Sequence, residues 1–302
     1  LYAGTKRGIH ELEEFIDENR VNRVILLSDG LANIGPSKPS DLEKLGQKAA
    51  AKGISITTIG LGLGFNEDLM TKLAYASDGN HAFVRNERDL VDIFDKEFGD
   101  VLSVVAQDVD ILIECHIGFR PIRVLGRNAE IDGRKIRLKL NQLYSAQEKQ
   151  LIIEAEMEDD LAEGNKPFAK VTVDYRSMKL KTRSKIVTDA EANFTRSRSL
   201  AEKSVNKRVM SSVVEQIATE RNEEAVSLRD KGMVGKARKI LEGNAAYLQQ
   251  NARSLGGKFE QELNELAVKN KKDSENLSDD KWAASRKDMR ARQYKLKTQQ
   301  SY

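Results

Sequence analysis

Apolar positions follow three different periods along the chain. Up to about residue 100, short apolar runs alternate with helical spacing. Ile9, Leu12, Phe15 and Ile16 recur at helical intervals and predict a helix over 4–18. Next comes Arg23-Val24-Ile25-Leu26-Leu27-Ser28-Asp29-Gly30, in which four consecutive apolar residues end in a polar turn. That pattern predicts a strand buried on both faces. Ser40, with Glu43 three residues on, predicts a capping box that opens a helix over 41–52, and Gly53 stops it. Residues 54–60 predict a second buried strand. Asn66, followed by Glu67 and Asp68, predicts a capped helix through Ala76. A short strand over 79–84 and a helix over 87–100 close the region. This alternation, with short connections, implies a parallel sheet flanked by helices.

The period then changes to two. Residues 109–115, 134–140, 151–157 and 169–175 alternate apolar and polar positions. Turn signals at Asp132-Gly133 and Glu163-Gly164-Asn165 separate them. An antiparallel β-sandwich over 101–188 is the expectation. After residue 189 strand signals vanish, and helices are expected over 190–230, 234–251 and 255–270. Ala225, Gly232, Ala237 and Leu241 fit a packed helix pair. Residues 271–302 are polar and are expected as a loose helix or a disordered tail. The expected fold class is therefore multidomain. An α/β parallel-sheet unit (1–100) is followed by the β-sandwich (101–188), a helical region (189–270) and the tail (271–302).

Composition narrows the function classes. The 302 residues include 50 Lys and Arg against 47 Asp and Glu, with 39% apolar and 32% charged residues. That balance excludes wholesale disorder and a membrane-embedded class, and no apolar run is long enough to predict a spanning helix. The single cysteine, Cys115, excludes an internal disulfide and a Cys-rich zinc site. His10, His81 and His116 are scattered, and His81 reads as a strand-edge residue rather than a ligand. Leu1 reads as the lead-in to a helix already inside a domain, so the chain is expected to be truncated at its N-terminus.

Few segments offer chemistry. Asp29 ends the first buried strand, where ligands of parallel sheets sit. Its carboxylate suits a hard cation such as Mg²⁺, or it caps the turn before Gly30. Gly60-Leu61-Gly62-Leu63-Gly64 follows a strand, but its third glycine comes two residues too early for a dinucleotide fingerprint. A tight loop explains it better. Ser28 and Asp29 lack a positioned histidine, and Glu154, Glu156, Glu158, Asp159 and Asp160 read as a solvated face. The chain is thus expected not to be an enzyme. Its basic excess lies after residue 189, interleaved with acids and poor in aromatics, so a solvated helical surface is expected rather than nucleic-acid binding.

Three strand ends carry a resemblance. Asn22 to Gly30, then Gly53-Ile54 with Thr58-Ile59-Gly60-Leu61-Gly62, then Leu73-Ala74 with Gly79 resemble the second half of a von Willebrand factor type A domain. They are most similar to bacterial members grouped with calcium-activated chloride channel and inter-alpha-trypsin inhibitor heavy-chain relatives. The resemblance implies a metal-ion-dependent adhesion site holding Mg²⁺, Ca²⁺ or Mn²⁺, with Asp29 as its third-loop ligand. The family's Asp-x-Ser-x-Ser loop is absent from this sequence. Its second-loop threonine would fall just before Leu1, with Thr5 a weak substitute. The first, central strand is missing too. By the same resemblance, residues 31–37 and 62–66, including Leu31, Asn33 and Asn66, would form a partner-binding rim. The implied function is non-enzymatic, metal-dependent binding of another protein through an acidic side chain. Metal binding by this chain alone is expected to be weak or absent. The alternative is a cytosolic accessory subunit or assembly factor that partners an ATPase. A cell-envelope or secreted location, with membrane anchoring upstream, goes with the first reading.

Overall fold

The computed structural model describes residues 1–32, 34–158 and 163–300. The first third alternates helix and strand as α1 (Tyr2–Glu13), β1 (Asn22–Ser28), α2 (Pro39–Ala50), β2 (Ile54–Leu61), α3 (Glu67–Ala76), β3 (His81–Val84) and α4 (Glu87–Leu102). The three strands are parallel, in the order β1-β2-β3. On one face Val24, Leu26, Ile54 and Ile56 pack against Ile9 of α1, Leu42 and Leu45 of α2, and Leu69 and Leu73 of α3. The capping box does not form as expected. Helix α2 starts at Pro39 with Lys38 as N-cap, so Ser40 lies within its first turn. Proline is preorganised for the first helical position and lacks the amide hydrogen that would go unpaired there, so it sets the start earlier. Among the described residues β1 pairs on one side only, with β2. Leu27 on this edge strand is exposed, as are Val91, Phe98 and Leu102 on α4.

The middle of the chain is antiparallel: β4 (Val104–Cys115), β5 (Phe119–Leu125), β6 (Glu130–Asp132), β7 (Lys135–Tyr144), β8 (Ile152–Met157), β9 (Gly164–Ser177) and β10 (Thr182–Phe194). Among the described residues these make a five-stranded sheet, β10-β9-β4-β7-β6, and a two-stranded one, β5-β8. Val124 and Ile153 of the small sheet pack on Ile113, Ile136 and Ala169 of the large one. Strand β5 carries Pro121, and its register shifts between Pro121 and Arg123, as a proline in a short two-stranded sheet permits. The helix expected from residue 190 is instead the end of β10. Its alanines suggest a helix, but Ala190 pairs with Ala169 across the hairpin and the Phe194 ring meets Phe119 at 5.4 Å. Long-range strand pairing overrides the local propensity here.

Among the described residues five helices follow: α5 (Arg198–Lys203), α6 (Lys207–Asp230), α7 (Val234–Leu255), α8 (Gly257–Glu275) and α9 (Asp279–Thr298). Gly232, at φ +76°, turns α6 into α7 in the left-handed conformation that a glycine adopts without strain. Ala225, Val226, Ala237 and Leu241 then interlock as the paired spacing predicts. Polar groups fix the register of the bundle. The Asn222 amide donates to Asn270 Oδ1 at 2.9 Å, Asn244 donates to the same oxygen at 3.0 Å, and Gln293 donates to Asn222 Oδ1 at 2.7 Å. A buried amide network of this kind tolerates only the alignment that satisfies it. Of the two outcomes expected for the polar tail, the structure shows a helix. Helix α9 buries Met289 and Tyr294 and runs back onto the parallel sheet. Among the described residues no helix is long and apolar enough to cross a membrane.

A buried ion pair joins the parallel and antiparallel layers. On the sheet face opposite the α1–α3 core, the Arg23 guanidinium meets Glu97 of α4 at 2.9 Å, with side chains 3% and 0% exposed. Arg23 also donates to Gln142 at 2.7 Å and to the Tyr144 hydroxyl, both on β7. Glu97 accepts from Thr57 and from Asn80, each at 2.6 Å. Removing one member strands the other's charge in the interior, at a cost of about 3–5 kcal/mol. Arg23→Leu is therefore expected to lower unfolding stability by roughly that amount in urea titrations. A loss below about 1 kcal/mol would show the pair to be solvated.

Candidate functional site

The carboxyl ends of β1 and β2 lie side by side, and glycines bring their loops into contact. Asp29 follows β1 directly and its side chain is exposed. The Ser28 hydroxyl turns inward to donate to Gly30 O at 3.2 Å. Gly64, in the loop after β2, passes so close that an added Cβ would stand 2.4 Å from the Asp29 carbonyl oxygen. Gly62 takes a positive φ of 62° to begin this crossing. The glycine run is thus a tight loop over the sheet's edge, as its spacing implied. Three large apolar side chains on these two loops face solvent: Leu31 at 62%, Ile34 at 87% and Leu63 at 57% exposure.

Sequence reasoning placed Asp29, Leu31, Asn33 and Asn66 together. The structure puts Asp29 and Leu31 on the exposed rim. Asn66 caps the helix that follows the loop. Its Oδ1 accepts from Leu69 N at 3.1 Å and caps α3, as expected from its position. Asn33 lies outside the described residues. Thr5 is fully buried in α1, and its hydroxyl donates to Leu1 O at 3.1 Å, so it does not present an oxygen to the rim.

Among the described residues the donor set does not assemble a metal centre. A hard divalent cation takes about six oxygens. The described rim residues contribute one free-standing carboxylate, and among the described residues no His, Cys, Asp and Glu side chains gather as a metal-binding group.

Helix α9 supports the rim from beneath, a contact that nothing in the sequence pattern pointed to. The Phe65 ring slides under Gly60, where a Cβ would lie 2.3 Å from it, and is 1% exposed. The Lys287 ammonium sits 4.4 Å above that ring and donates to Phe65 O at 2.7 Å while pairing with Glu67. Arg286 holds Asp68 at 2.6 Å and Asp230 at 2.9 Å, and Arg290 meets Asp68 at 3.2 Å. Glu67 and Asp68, expected only to favour a helix N-terminus, also anchor α9. A lysine inside a polar helix carries no periodic signal, so this anchor was illegible.

His81 completes the buried wall. It is 3% exposed, and its ring lies between Phe65 (6.4 Å) and Tyr294 (5.6 Å). Its Nδ1 is 2.8 Å from the Thr58 hydroxyl. The reading of His81 as a structural residue fits this setting.

The parallel three-strand order, the strand-end carboxylate and the glycine crossing point to one group of known structures. A von Willebrand factor type A protein from Catenulispora acidiphila superposes with a TM-score of 0.69 over 88% of this chain and 61% of its own, at 14% identity. The fold is that of the type A proteins. The ArnB paralog VWA2 from Sulfolobus acidocaldarius aligns at TM-score 0.53 over 96% of this chain and 66% of its own, also at 14% identity. Coverage this wide takes in antiparallel and helical parts besides the type A sheet. No family model matches the chain. Among curated proteins, the uncharacterized YfbK of Escherichia coli K12 is 26% identical over 113 residues, 37% of this chain and 20% of that protein. The uncharacterized sll0103 of Synechocystis is 24% identical over 182 residues, 57% of this chain and 42% of that protein. The chain therefore spans less than half of either curated relative. The narrower grouping with chloride-channel and inhibitor heavy-chain relatives remains an expectation.

The wall around His81 makes a pH prediction. Burial pushes its pKa down from 6.5 to about 3, against the opposing hydrogen bond with Thr58. The unfolded chain takes up this proton near pH 6.5 and the folded chain only near 3, so acid favours unfolding across that window. Above it the ring is neutral in both states and contributes no pH dependence. Urea titrations should show this share of the slope, about 1.4 kcal/mol per pH unit, lost in His81→Phe. An unchanged slope would mean the ring is protonated in the folded chain.

Proposed function

We propose that this chain is a non-enzymatic protein-interaction module of the type A fold, contacting its partner through the rim around Asp29. The observation that carries the reading is the exposed Asp29 carboxylate at a strand end, flanked by exposed Leu31, Ile34 and Leu63. Exposed apolar side chains beside a fixed charge are a common mark of an interaction surface. The two loops are held rigidly, by the Gly64–Asp29 contact above and by α9 below, so binding would order little chain.

The finer proposal is metal dependence. Asp29 would be one ligand of a Mg²⁺, Ca²⁺ or Mn²⁺ ion, whose other oxygens would come from outside the described residues and from an acidic group of the partner. The open edge of β1 is where further strands of such a protein would pair.

In the longest natural form of the protein, Asp29→Ala is expected to weaken Mg²⁺ binding by at least about tenfold while leaving circular dichroism unchanged. Equal Mg²⁺ affinity of the two proteins by calorimetry would remove Asp29 from the ion. Gly64→Ala should push the two loops apart, because its Cβ would meet the Asp29 carbonyl. Partner binding in pull-down or calorimetry should then fall although the carboxylate remains, and undiminished binding would detach the β2 loop from the rim.

A further inference from the structure

Away from the rim, α4, α8 and α9 enclose a cleft of about 780 Å³ with β3 at its base. Its charge is mainly positive, five lysines and two arginines against Asp273, Asp280 and Asp288, with Asp280 beside Lys281. Lys96 comes from α4, Lys269 and Lys272 from α8, and Lys281 and Lys295 from α9. Two arginines of the lining are already neutralised, Arg85 by Asp288 and Arg292 by Asp273. Among the described residues no carboxylate forms a salt bridge with Lys269, Lys272, Lys281 or Lys295. Burial, then the charges of Lys96 and Lys269, push the Lys295 ammonium below its ordinary value. The folded chain thus holds like charges together at a cost that a bound anion would relieve.

The layout selects the kind of anion. Lys281 and Lys295 are fourteen residues apart on one helix, so the positive charge extends over about 21 Å. One phosphate is too small to meet it, whereas six or seven residues of extended peptide, at about 3.3 Å each, match its length. Ile93, Ala284 and Ala291 add apolar surface to the cleft. A single-stranded nucleic acid would want open aromatic faces for its bases. The aromatic carbocycle here, Phe83, has the Arg85 guanidinium 5.7 Å over it and Phe65 beside it.

We infer that this cleft binds an extended acidic segment of a partner protein, its carboxylates on the lysines and its apolar residues on that apolar surface. The surface is distinct from the Asp29 rim, so the chain would hold a partner at two places.

The test is fluorescence anisotropy of the full chain with a labelled peptide that alternates glutamate and leucine. An unlabelled thymidine oligonucleotide and tripolyphosphate serve as competitors. Binding should weaken as salt rises, and by at least about tenfold in the double variant Lys269→Glu, Lys295→Glu. Asp29→Ala should leave it unchanged, which separates failure here from failure of the rim. Thermal melts supply a second readout. Lys295→Gln relieves the clustered charge, so its Tm should rise while its peptide affinity falls, whereas a purely structural lysine would lower the Tm. Unchanged peptide affinity in the double variant would overturn the inference. So would tighter binding of the oligonucleotide or of tripolyphosphate than of the peptide.

Discussion

A single ammonium group, on Lys287, ties the loop after β2 to helix α9. It has left water to sit over the Phe65 ring, against the Phe65 carbonyl and beside Glu67. A lone buried cation would be costly, and three partners of different kinds offset that cost. The β2 loop cannot shift without disturbing one of them. Through Gly64 that loop fixes the backbone of Asp29, so the position of a carboxylate on one edge of the sheet depends on a helix more than two hundred residues away.

The two polar joints act on opposite sides of the parallel sheet. Arg23 and Glu97 bind it to the antiparallel layer, and Lys287 with Arg286 binds it to the helices. Apolar packing within each layer supplies most of the burial, but it is tolerant of sliding. Hydrogen-bonded charges are not, because a shift leaves them unpaired in a dry place. The amides of Asn222, Asn244 and Asn270 play the same part among the helices.

How far the sequence spoke depended on what kind of residue each element buried. Strands β1 and β2 were readable because Val24 to Leu27 is an unbroken apolar run and Ile54 to Ile59 is rich in β-branched residues, each followed by a punctuating glycine. The Asn66 cap was readable because capping is local chemistry. The start of α2 was misplaced because Pro39 and Ser40 both signal a helix start, and the proline prevailed. Strand β5 was hidden by Pro121, and the end of β10 by an alanine-rich stretch whose partner lies on β9. Helix α9 was expected only as one of two outcomes for the polar tail, and its packing was not legible. Its buried positions include Ser285, Lys287, Gln293 and Thr298, residues that count as solvent-facing in any periodicity argument. At the candidate site, Asp29 and Leu31 were legible from strand-end position and resemblance. The Phe65–Lys287 support and the lysine cleft were not, since both arise only when distant helices meet.

The reach of α9 across the chain has a kinetic consequence. Its bonds to Glu67 and Gly79, and that of Gln300 just beyond it to His81, close loops of 220, 215 and 219 residues. Contacts that distant form slowly, because the entropy of bringing the ends together is lost before any bond repays it. During synthesis the early strands leave the ribosome long before α9 exists. For that interval the ground under Phe65 is bare and the β2 loop is unsupported. The settled shape of the rim should therefore be the last feature this polypeptide acquires, and it would mark a finished molecule.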